Sequence, residues 1–261
     1  MPPLAFPRLA SLGAARRVVA PSARRLASSK RPSNFDRADF SELRERSLLR
    51  HVVSSAQEGD PESVMQAMDV FWDTYFNGEG SAAWKLRGTA LDQAVSSKEV
   101  ASAMEIGSYC GYTAVRIARL MPEGSKLVSV EIDPLFAAIA TKVVEFAGLS
   151  HKVTVEIGSL ADRLPAIQRK GLVSPLNAVL LDHDTANYLP DLQLLERNSL
   201  VAQDTMVLCD WSLYPGSDSS DQAPTEGHEF MEYLKQRAGG TVKHSLRDKE
   251  IFTVTQWDFT I

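Results

Sequence analysis

Acidic residues follow two apolar runs directly, which is unusual at the end of a buried strand. The run Ala178–Leu181 continues into residues 182–184, Asp-His-Asp, and the run Met206–Cys209 continues into Asp210. If the two runs are neighbouring parallel strands, the carboxylates of Asp182 and Asp210 can converge on one ion. A hard cation such as Mg²⁺ prefers oxygen ligands of this kind. The alternative is that each acid only caps the turn after its strand.

A glycine turn follows another apolar run, and residues 105–112 read EIGSYCGY. Gly107 and Gly111 let the backbone approach a ligand closely, and the helix that starts next offers free N–H groups to an anionic group such as a carboxylate. Glu131 ends the next apolar run, 20 residues after Gly111. A carboxylate there can accept hydrogen bonds from two ribose hydroxyls. The alternatives are a turn that only fits a tight corner and a solvated acid.

Strand and helix patterns alternate from residue 100 onward. This alternation predicts βαβ units, and therefore an α/β fold with a mostly parallel sheet and helices on both faces. Ligands of such sheets bind at the carboxyl ends of the strands, where the strand order reverses. The predicted strands are Ala101–Ile106, Leu127–Val130, Val153–Ile157, Ala178–Leu181 and Met206–Cys209.

The two ends of the folded region depart from this alternation. Ser41–Ala56 and Pro61–Phe76 have apolar residues at helical spacing, and a third helix is expected from about Ala82 to Ser96. Thr241–Leu246 and Ile251–Trp257 are too close together for a helical crossover. They predict an antiparallel hairpin at the sheet edge.

Composition limits the class of protein. The chain has 261 residues, of which 44% are hydrophobic, and this suits one domain with a full core. Beyond residue 31 it has 21 basic and 33 acidic residues, so a nucleic-acid partner is not expected. No run of 18 to 20 apolar residues predicts a membrane span. Cys110 and Cys209 follow or end strands that should not be neighbours, and we expect both to stay reduced.

Residues 1–31 contain seven basic residues and no acid, and their apolar runs are short. An organelle transit peptide, most simply a mitochondrial one, fits this composition better than a secretory signal. A plastid address and a disordered basic tail on a cytoplasmic protein are the alternatives. The folded domain is expected over residues 32–261.

Four segments closely resemble catechol O-methyltransferases, which are class I S-adenosylmethionine-dependent, cation-dependent O-methyltransferases. They are residues 105–120 (EIGSYCGYTAVRIARL), 130–134, 181–191 (LDHDTANYLPD) and 208–216 (LCDWSLYPG). The resemblance runs from about residue 45 to 257. It implies a Rossmann-like methyltransferase sheet, S-adenosylmethionine as methyl donor, a divalent metal, usually Mg²⁺, and a catechol-like or other small hydroxylated acceptor.

The resemblance also implies the roles of particular residues. The donor would be bound by Glu105, Gly107, Tyr109, Gly111, Thr113, Glu131, Ile132, Gly158 and His183. The metal would be bound by Asp182 and Asp210. The acceptor would lie against Trp211, Tyr214 and Pro215.

The chain departs from the family pattern on the acceptor side. Thr185 stands where the family has the lysine that removes the phenol proton, and a threonine hydroxyl is no general base near neutral pH. Trp211 stands at the asparagine that is the third metal ligand, and an indole cannot ligate Mg²⁺. The acid that orients the second catechol hydroxyl aligns with Arg247, although Asp248 or Glu250 could serve after a small shift.

Three interpretations remain open. The first is a methyltransferase with a different acceptor, in which a metal is bound by the two strand-end aspartates with Asp184. The second is a metal-independent methyltransferase, with His183, Asp184 or His228 as base and an aromatic acceptor wall of Trp211 and Tyr214. The third is a catalytically impaired relative that binds S-adenosylmethionine or a protein partner.

Overall fold

The computed structural model describes residues 34–78, 81–171, 175–211, 225–246 and 249–258, with side chains from residue 44 onward. Residues 1–31 lie outside these ranges, so the targeting role of that segment stays a prediction. Tyr214, Pro215, Arg247 and Asp248 also lie outside them, as does the side chain of His228.

Eight helices and seven strands make up the described residues. The helices are α1 (Asn34–Ser55), α2 (Pro61–Tyr75), α3 (Ser81–Ser96), α4 (Tyr112–Ala118), α5 (Pro134–Phe146), α6 (Leu160–Arg169), α7 (Tyr188–Arg197) and α8 (Thr225–Lys235), with a short 3₁₀ turn at Thr185–Asn187. The strands are β1 (Ser102–Ile106), β2 (Lys126–Glu131), β3 (Val153–Ile157), β4 (Ala178–Leu181), β5 (Met206–Asp210), β6 (Ala238–Leu246) and β7 (Lys249–Trp257).

The strands form one sheet in the order β3-β2-β1-β4-β5-β7-β6. The first five are parallel, while β7 pairs antiparallel with both β5 and β6. The chain builds outward from β1 to β3 and then returns to start again at β4, so the order reverses between β1 and β4. The predicted α/β fold with a C-terminal antiparallel hairpin is therefore confirmed.

Alternate residues of the inner parallel strands β1, β2, β4 and β5 enter two hydrophobic cores, one on each face of the sheet. Ala103, Leu127 and Leu180 face the core that α1 to α5 cover. Met104 and Val179 face the core that α6, α7 and α8 cover. Burial on both faces explains why these strands are continuous apolar runs in the sequence.

Local signals define the helix starts that flank the sheet. Asp60 caps α2 by accepting hydrogen bonds from the backbone N–H groups of Glu62 and Ser63, and Pro61 occupies the first turn. Asp133 caps α5 in the same way, ahead of Pro134. The cap of α5 lies two residues after Glu131, so it fixes where the chain turns at the carboxyl end of β2.

The two cysteines follow or end strands that are not neighbours, because β4 lies between β1 and β5. Cys110, in the turn between β1 and α4, and Cys209, in β5, are both buried and free. Among the described residues, no helix has both the length and the apolar character needed to cross a membrane.

Candidate active site

A cavity of about 1490 Å³ lies along the carboxyl edge of the parallel strands. It extends from the end of β2, past the ends of β1 and β4, to the end of β5, and α2 and α3 form its outer wall. The site residues that line it include Gly107, Tyr109, Glu131, Asp182 and Asp210. The sequence predicted this location from the reversal rule for parallel sheets.

The two glycines of the turn after β1 are required by the packing itself. Gly107 has a φ of 98°, and a Cβ atom there would lie 2.0 Å from the carbonyl oxygen of Asp182. Gly111 has a φ of 83°, and its Cβ would lie 2.9 Å from the Cα of Ala140 in α5. Both conformations are ones that glycine alone adopts without strain. The turn therefore packs tightly against the end of β4 and against α5, and its backbone also lines the cavity.

The carboxylate of Glu131 is fixed by the turn that it faces. One oxygen accepts a hydrogen bond from the Tyr109 backbone N–H at 2.7 Å, and the other accepts one from the Asp133 N–H at 2.9 Å. Each carboxylate oxygen has a second lone pair. Glu131 is thus held rigidly at the end of β2 and can still accept hydrogen bonds from two hydroxyl groups of a ligand in the cavity.

Three of the expected donor contacts lie behind the cavity wall rather than on it. Glu105 is fully buried and accepts a hydrogen bond from the Ser129 hydroxyl. Thr113 accepts a hydrogen bond from the Arg87 guanidinium at 3.0 Å, and Gly111 packs on α5. Burial raises the pKa of Glu105 to about 7, although the Ser129 hydroxyl and the Arg87 charge oppose this shift.

Aromatic side chains form much of the remaining wall. The Tyr109 ring stacks on Trp72 from α2, with the ring centroids 6.0 Å apart, and meets Phe136 edge-on at 4.9 Å. Ile132 is 73% exposed at the mouth of the cavity, and Gly158 lines the same end. An exposed isoleucine beside Glu131 offers an apolar surface on which a planar ring can lie.

Tyr109 also ties the turn to α1. Its hydroxyl donates to the buried carboxylate of Glu45, and Arg44 bonds the same carboxylate through its Nε at 2.7 Å. Tyr109 has a φ of 46°, a conformation that is unusual for a residue other than glycine. The contacts with α1 and α2 hold it there, so the first two helices position the glycine turn.

Asp182 and Asp210 converge, as predicted, but an arginine lies between them. The Arg87 guanidinium forms ion pairs with Asp182 through Nη2 and with Asp210 through Nε. Arg87 comes from α3 and is only 4% exposed. Burial raises the pKa of Asp182 well above its usual range, the neighbouring Asp210 raises it further, and Arg87 opposes both effects.

The residues at this position do not fit a magnesium ion. One oxygen of each carboxylate that would bind the ion is paired with a guanidinium, which stays charged and cannot serve as a ligand. Trp211, at the expected third ligand position, donates its indole N–H to Thr253 at 3.1 Å. Within the described ranges, no group of three or more His, Cys, Asp or Glu side chains is arranged to hold a metal.

Of the three candidate bases, His183 and Asp184 have described side chains, and the surroundings of these two differ. Asp184 is exposed and accepts a hydrogen bond from the Ala186 backbone N–H at 3.1 Å, as the cap of the 3₁₀ turn. His183 is largely buried, and its Nε2 lies 3.1 Å from a carboxylate oxygen of Asp191, within ion-pair distance although not aligned as a hydrogen bond. Thr185, where the resemblance has a lysine, lines the cavity beside them.

Trp211 closes the end of the cavity at β5. Its ring contacts Tyr188 and Phe230, with centroids 5.4 and 5.8 Å away. The Tyr188 hydroxyl donates to the Asp210 carbonyl at 2.6 Å. Glu250 is outside the lining of the cavity and pairs with Lys243 across the hairpin at 2.6 Å.

Sequence reasoning missed Arg87 and Asp191. A signal for Arg87 was available, because it shares the spacing of Ala90, Leu91 and Ala94, which are buried along one face of α3. A charged residue on such a face requires a buried partner of opposite charge. Asp191 had no comparable signal, since its contact with His183 depends on how the 3₁₀ turn precedes α7.

The fold and the site are those of a Rossmann-like α/β domain. Its glycine turn and strand-end glutamate lie where the strand order of the sheet reverses. The O-methyltransferase family matches residues 86–238. Catechol O-methyltransferase of Mus musculus is 37% identical over 202 residues, which are 74% of this chain and 75% of that protein. The Bos taurus enzyme is 37% identical over 197 residues, covering 74% of this chain and 66% of that protein.

Solved structures agree on the fold. An O-methyltransferase from Streptomyces achromogenes matches with a TM-score of 0.54 and 23% identity, over 66% of this chain and 80% of that one. One from Bacillus cereus matches with a TM-score of 0.55 and 22% identity over the same shares. The chain belongs to the catechol O-methyltransferase-like family of class I S-adenosylmethionine-dependent O-methyltransferases.

The buried Glu105 predicts a pH-dependent stability. Its folded-state pKa of about 7 lies above the ordinary value of 4.5, so folding favours the protonated form. That stabilisation is complete below pH 4.5 and is lost as the pH rises through 7. Relative to wild type, Glu105→Gln should gain on the order of 2 kcal/mol of unfolding free energy between pH 5 and 8.5, as measured by urea unfolding at each pH.

Glu145→Gln, an exposed change on α5 that also removes one carboxylate, is the control and should leave the pH dependence of wild type unaltered. Parallel pH curves for wild type and Glu105→Gln would show that Glu105 is ionised in the folded protein across this range.

Proposed function

We propose that this chain transfers the methyl group of S-adenosylmethionine to the hydroxyl of a small acceptor, catechol-like or of another hydroxylated kind. One observation supports this most strongly. A single cavity joins the Glu131 and Gly107 edge, which suits a nucleoside, to the Trp211 end, which suits a planar acceptor. Donor and acceptor can therefore lie end to end in one cavity, which methyl transfer requires.

The donor half of the cavity matches the chemistry of S-adenosylmethionine. Glu131 would accept the two ribose hydroxyls, and the exposed Ile132 would contact the adenine. Trp72, Trp84 and Tyr109 line the cavity beside them. Aromatic faces attract a cation, and the donor carries a positive sulfonium.

The acceptor hydroxyl must lose a proton for the transfer to balance. The base takes the proton, the oxygen lone pair forms the new C–O bond to the methyl carbon, and the electron pair of the broken S–C bond stays on sulfur. The products are the methyl ether and neutral S-adenosylhomocysteine. Nothing in this step requires an oxidant, a reductant or a further reactant.

Between His183 and Asp184, we favour His183 as the base. An imidazole is the side chain best suited to proton transfer near neutral pH. Asp191 faces it and would stabilise the imidazolium that forms, whereas the Asp184 carboxylate is exposed to solvent and already caps a turn. His183 also lines the cavity between the donor and acceptor halves.

Loss of Glu131 should weaken donor binding. Glu131→Ala leaves the ribose hydroxyls without a partner, which costs about 1 to 3 kcal/mol, or roughly 5- to 150-fold in Kd. Calorimetric titration with S-adenosylmethionine measures this. The matched control is Glu156→Ala, which removes a buried carboxylate from β3 that Arg163 and Lys170 bind outside the cavity; it should keep the wild-type Kd. A wild type that binds no donor at millimolar concentration would contradict the proposal.

His183 and Asp184 should differ in their effect on turnover. His183→Ala should lower kcat by about 10²-fold or more, because the proton then has no positioned acceptor. Asp184→Ala should leave kcat near the wild-type value. The assay measures S-adenosylhomocysteine release with a panel of phenols that includes catechol, and the donor Kd of each variant separates binding from turnover.

The reverse order, with turnover lost only in Asp184→Ala, would assign the base to Asp184. A wild type that binds the donor but methylates no acceptor in the panel would favour the catalytically impaired relative.

A further inference from the structure

The guanidinium of Arg87 is buried within the site and bonded to several of its residues. It bonds Asp182 at the end of β4, Asp210 at the end of β5 and Thr113 on α4. These partners come from three different elements. A side chain that is held from three directions and is 4% exposed occupies a defined position in the fold.

The helix that carries Arg87 is itself anchored around it. The ring centroid of Trp84, one turn earlier in α3, lies 5.0 Å from the guanidinium carbon of Arg87. The indole N–H of Trp84 donates a hydrogen bond to Asp69 of α2 at 3.0 Å. Gly88 follows directly, and a Cβ there would lie 2.7 Å from the guanidinium of Arg116. α3 therefore approaches α4 closely, and this approach allows Arg87 to reach the two aspartates.

Asp210 is buried and the Asp182 side chain is only 18% exposed. Two neighbouring carboxylates with so little access to water need a cation between them, because like charges repel strongly away from water. A divalent ion with oxygen ligands would satisfy that need, and so does a guanidinium with donors pointing at both groups. A divalent ion and the Arg87 guanidinium cannot both occupy this position. Arg87 uses an oxygen of each carboxylate, and its fixed charge would repel a second cation placed beside it.

We propose that Arg87 permanently takes the place of a divalent cation, which makes this site independent of metal ions. What the inference says about catalysis rests on the proposed methyl transfer. The ion pairs of Arg87 with Asp182 and Asp210 do not depend on it. It accounts for two features of the sequence at once. Trp211 can replace a metal ligand because no metal needs it, and an arginine lies on the buried face of α3.

Manganese binding tests the proposal without any assay of activity. Mn²⁺ replaces Mg²⁺ at most oxygen sites, and the electron paramagnetic resonance signal of the free ion is lost on binding. The wild-type chain should leave the free-ion signal unchanged at millimolar Mn²⁺. Arg87→Met removes the charge but keeps a flexible, unbranched side chain, so the carboxylates of Asp182 and Asp210, now without the guanidinium, should bind one Mn²⁺ at least about tenfold more tightly than wild type does.

Thermal unfolding provides a second readout on the same variants. Arg87→Met should have a lower Tm than wild type and should recover several degrees when Mg²⁺ is added, because the ion binds only the folded pair. The Tm of wild type should not respond to Mg²⁺. Arg116→Met is the control: it breaks a pair with Asp92, outside the cavity lining, and should lose Tm with no recovery in Mg²⁺.

Wild-type binding of one Mn²⁺ per chain that is lost in Asp182→Asn would overturn the proposal, whatever happens to methyl transfer. If Arg87→Met does not fold, the wild-type titration decides the question by itself. Turnover in wild type should survive EDTA treatment, and its loss with recovery in Mg²⁺ would count against the proposal. If wild type shows no turnover at all, the proposed function is contradicted, but the Mn²⁺ titration still tests the role of Arg87.

Discussion

The ion pairs of Arg87 with Asp182 and Asp210 are the interaction on which the rest of the site depends. They connect a helix outside the sheet to the ends of two adjacent strands, at the edge where the cavity opens. Breaking a buried pair from one side typically costs about 3 to 5 kcal/mol, because a charge is left uncompensated. The position of α3, and with it the outer wall of the cavity, is therefore coupled to the charge state of the strand ends.

The same edge is constrained by backbone contacts. The close approach of Gly107 to the Asp182 carbonyl brings the turn after β1 against the end of β4. On the other side of that turn, Glu131 accepts the Tyr109 N–H, and Tyr109 in turn reaches Glu45 of α1. These contacts link the donor and acceptor halves of the cavity, so a ligand in one half has a defined position relative to a ligand in the other half.

Much of this arrangement could be predicted from the sequence, since continuous apolar runs mark strands that are buried on both faces. The positions of Asp182, Asp210 and Glu131 followed from the rule that ligands bind at strand ends. The α6 helix was not predicted, and its Pro165, which lies inside the helix, is a residue that normally ends one. The spacing of α3 places Arg87 on the buried face, but its partner Asp182 lies 95 residues away, and the sequence does not show which distant side chains pair with it. Roles assigned to Tyr214 and Pro215 stay predictions.

A guanidinium, and not a metal ion, lies between the two aspartates. Anomalous diffraction from crystals grown with S-adenosylhomocysteine and soaked in Mn²⁺ tests it most directly. We expect electron density for the Arg87 guanidinium in contact with Asp182 and Asp210 and no anomalous peak between them. An anomalous peak bound by both carboxylates, with Arg87 displaced into the cavity, would contradict it.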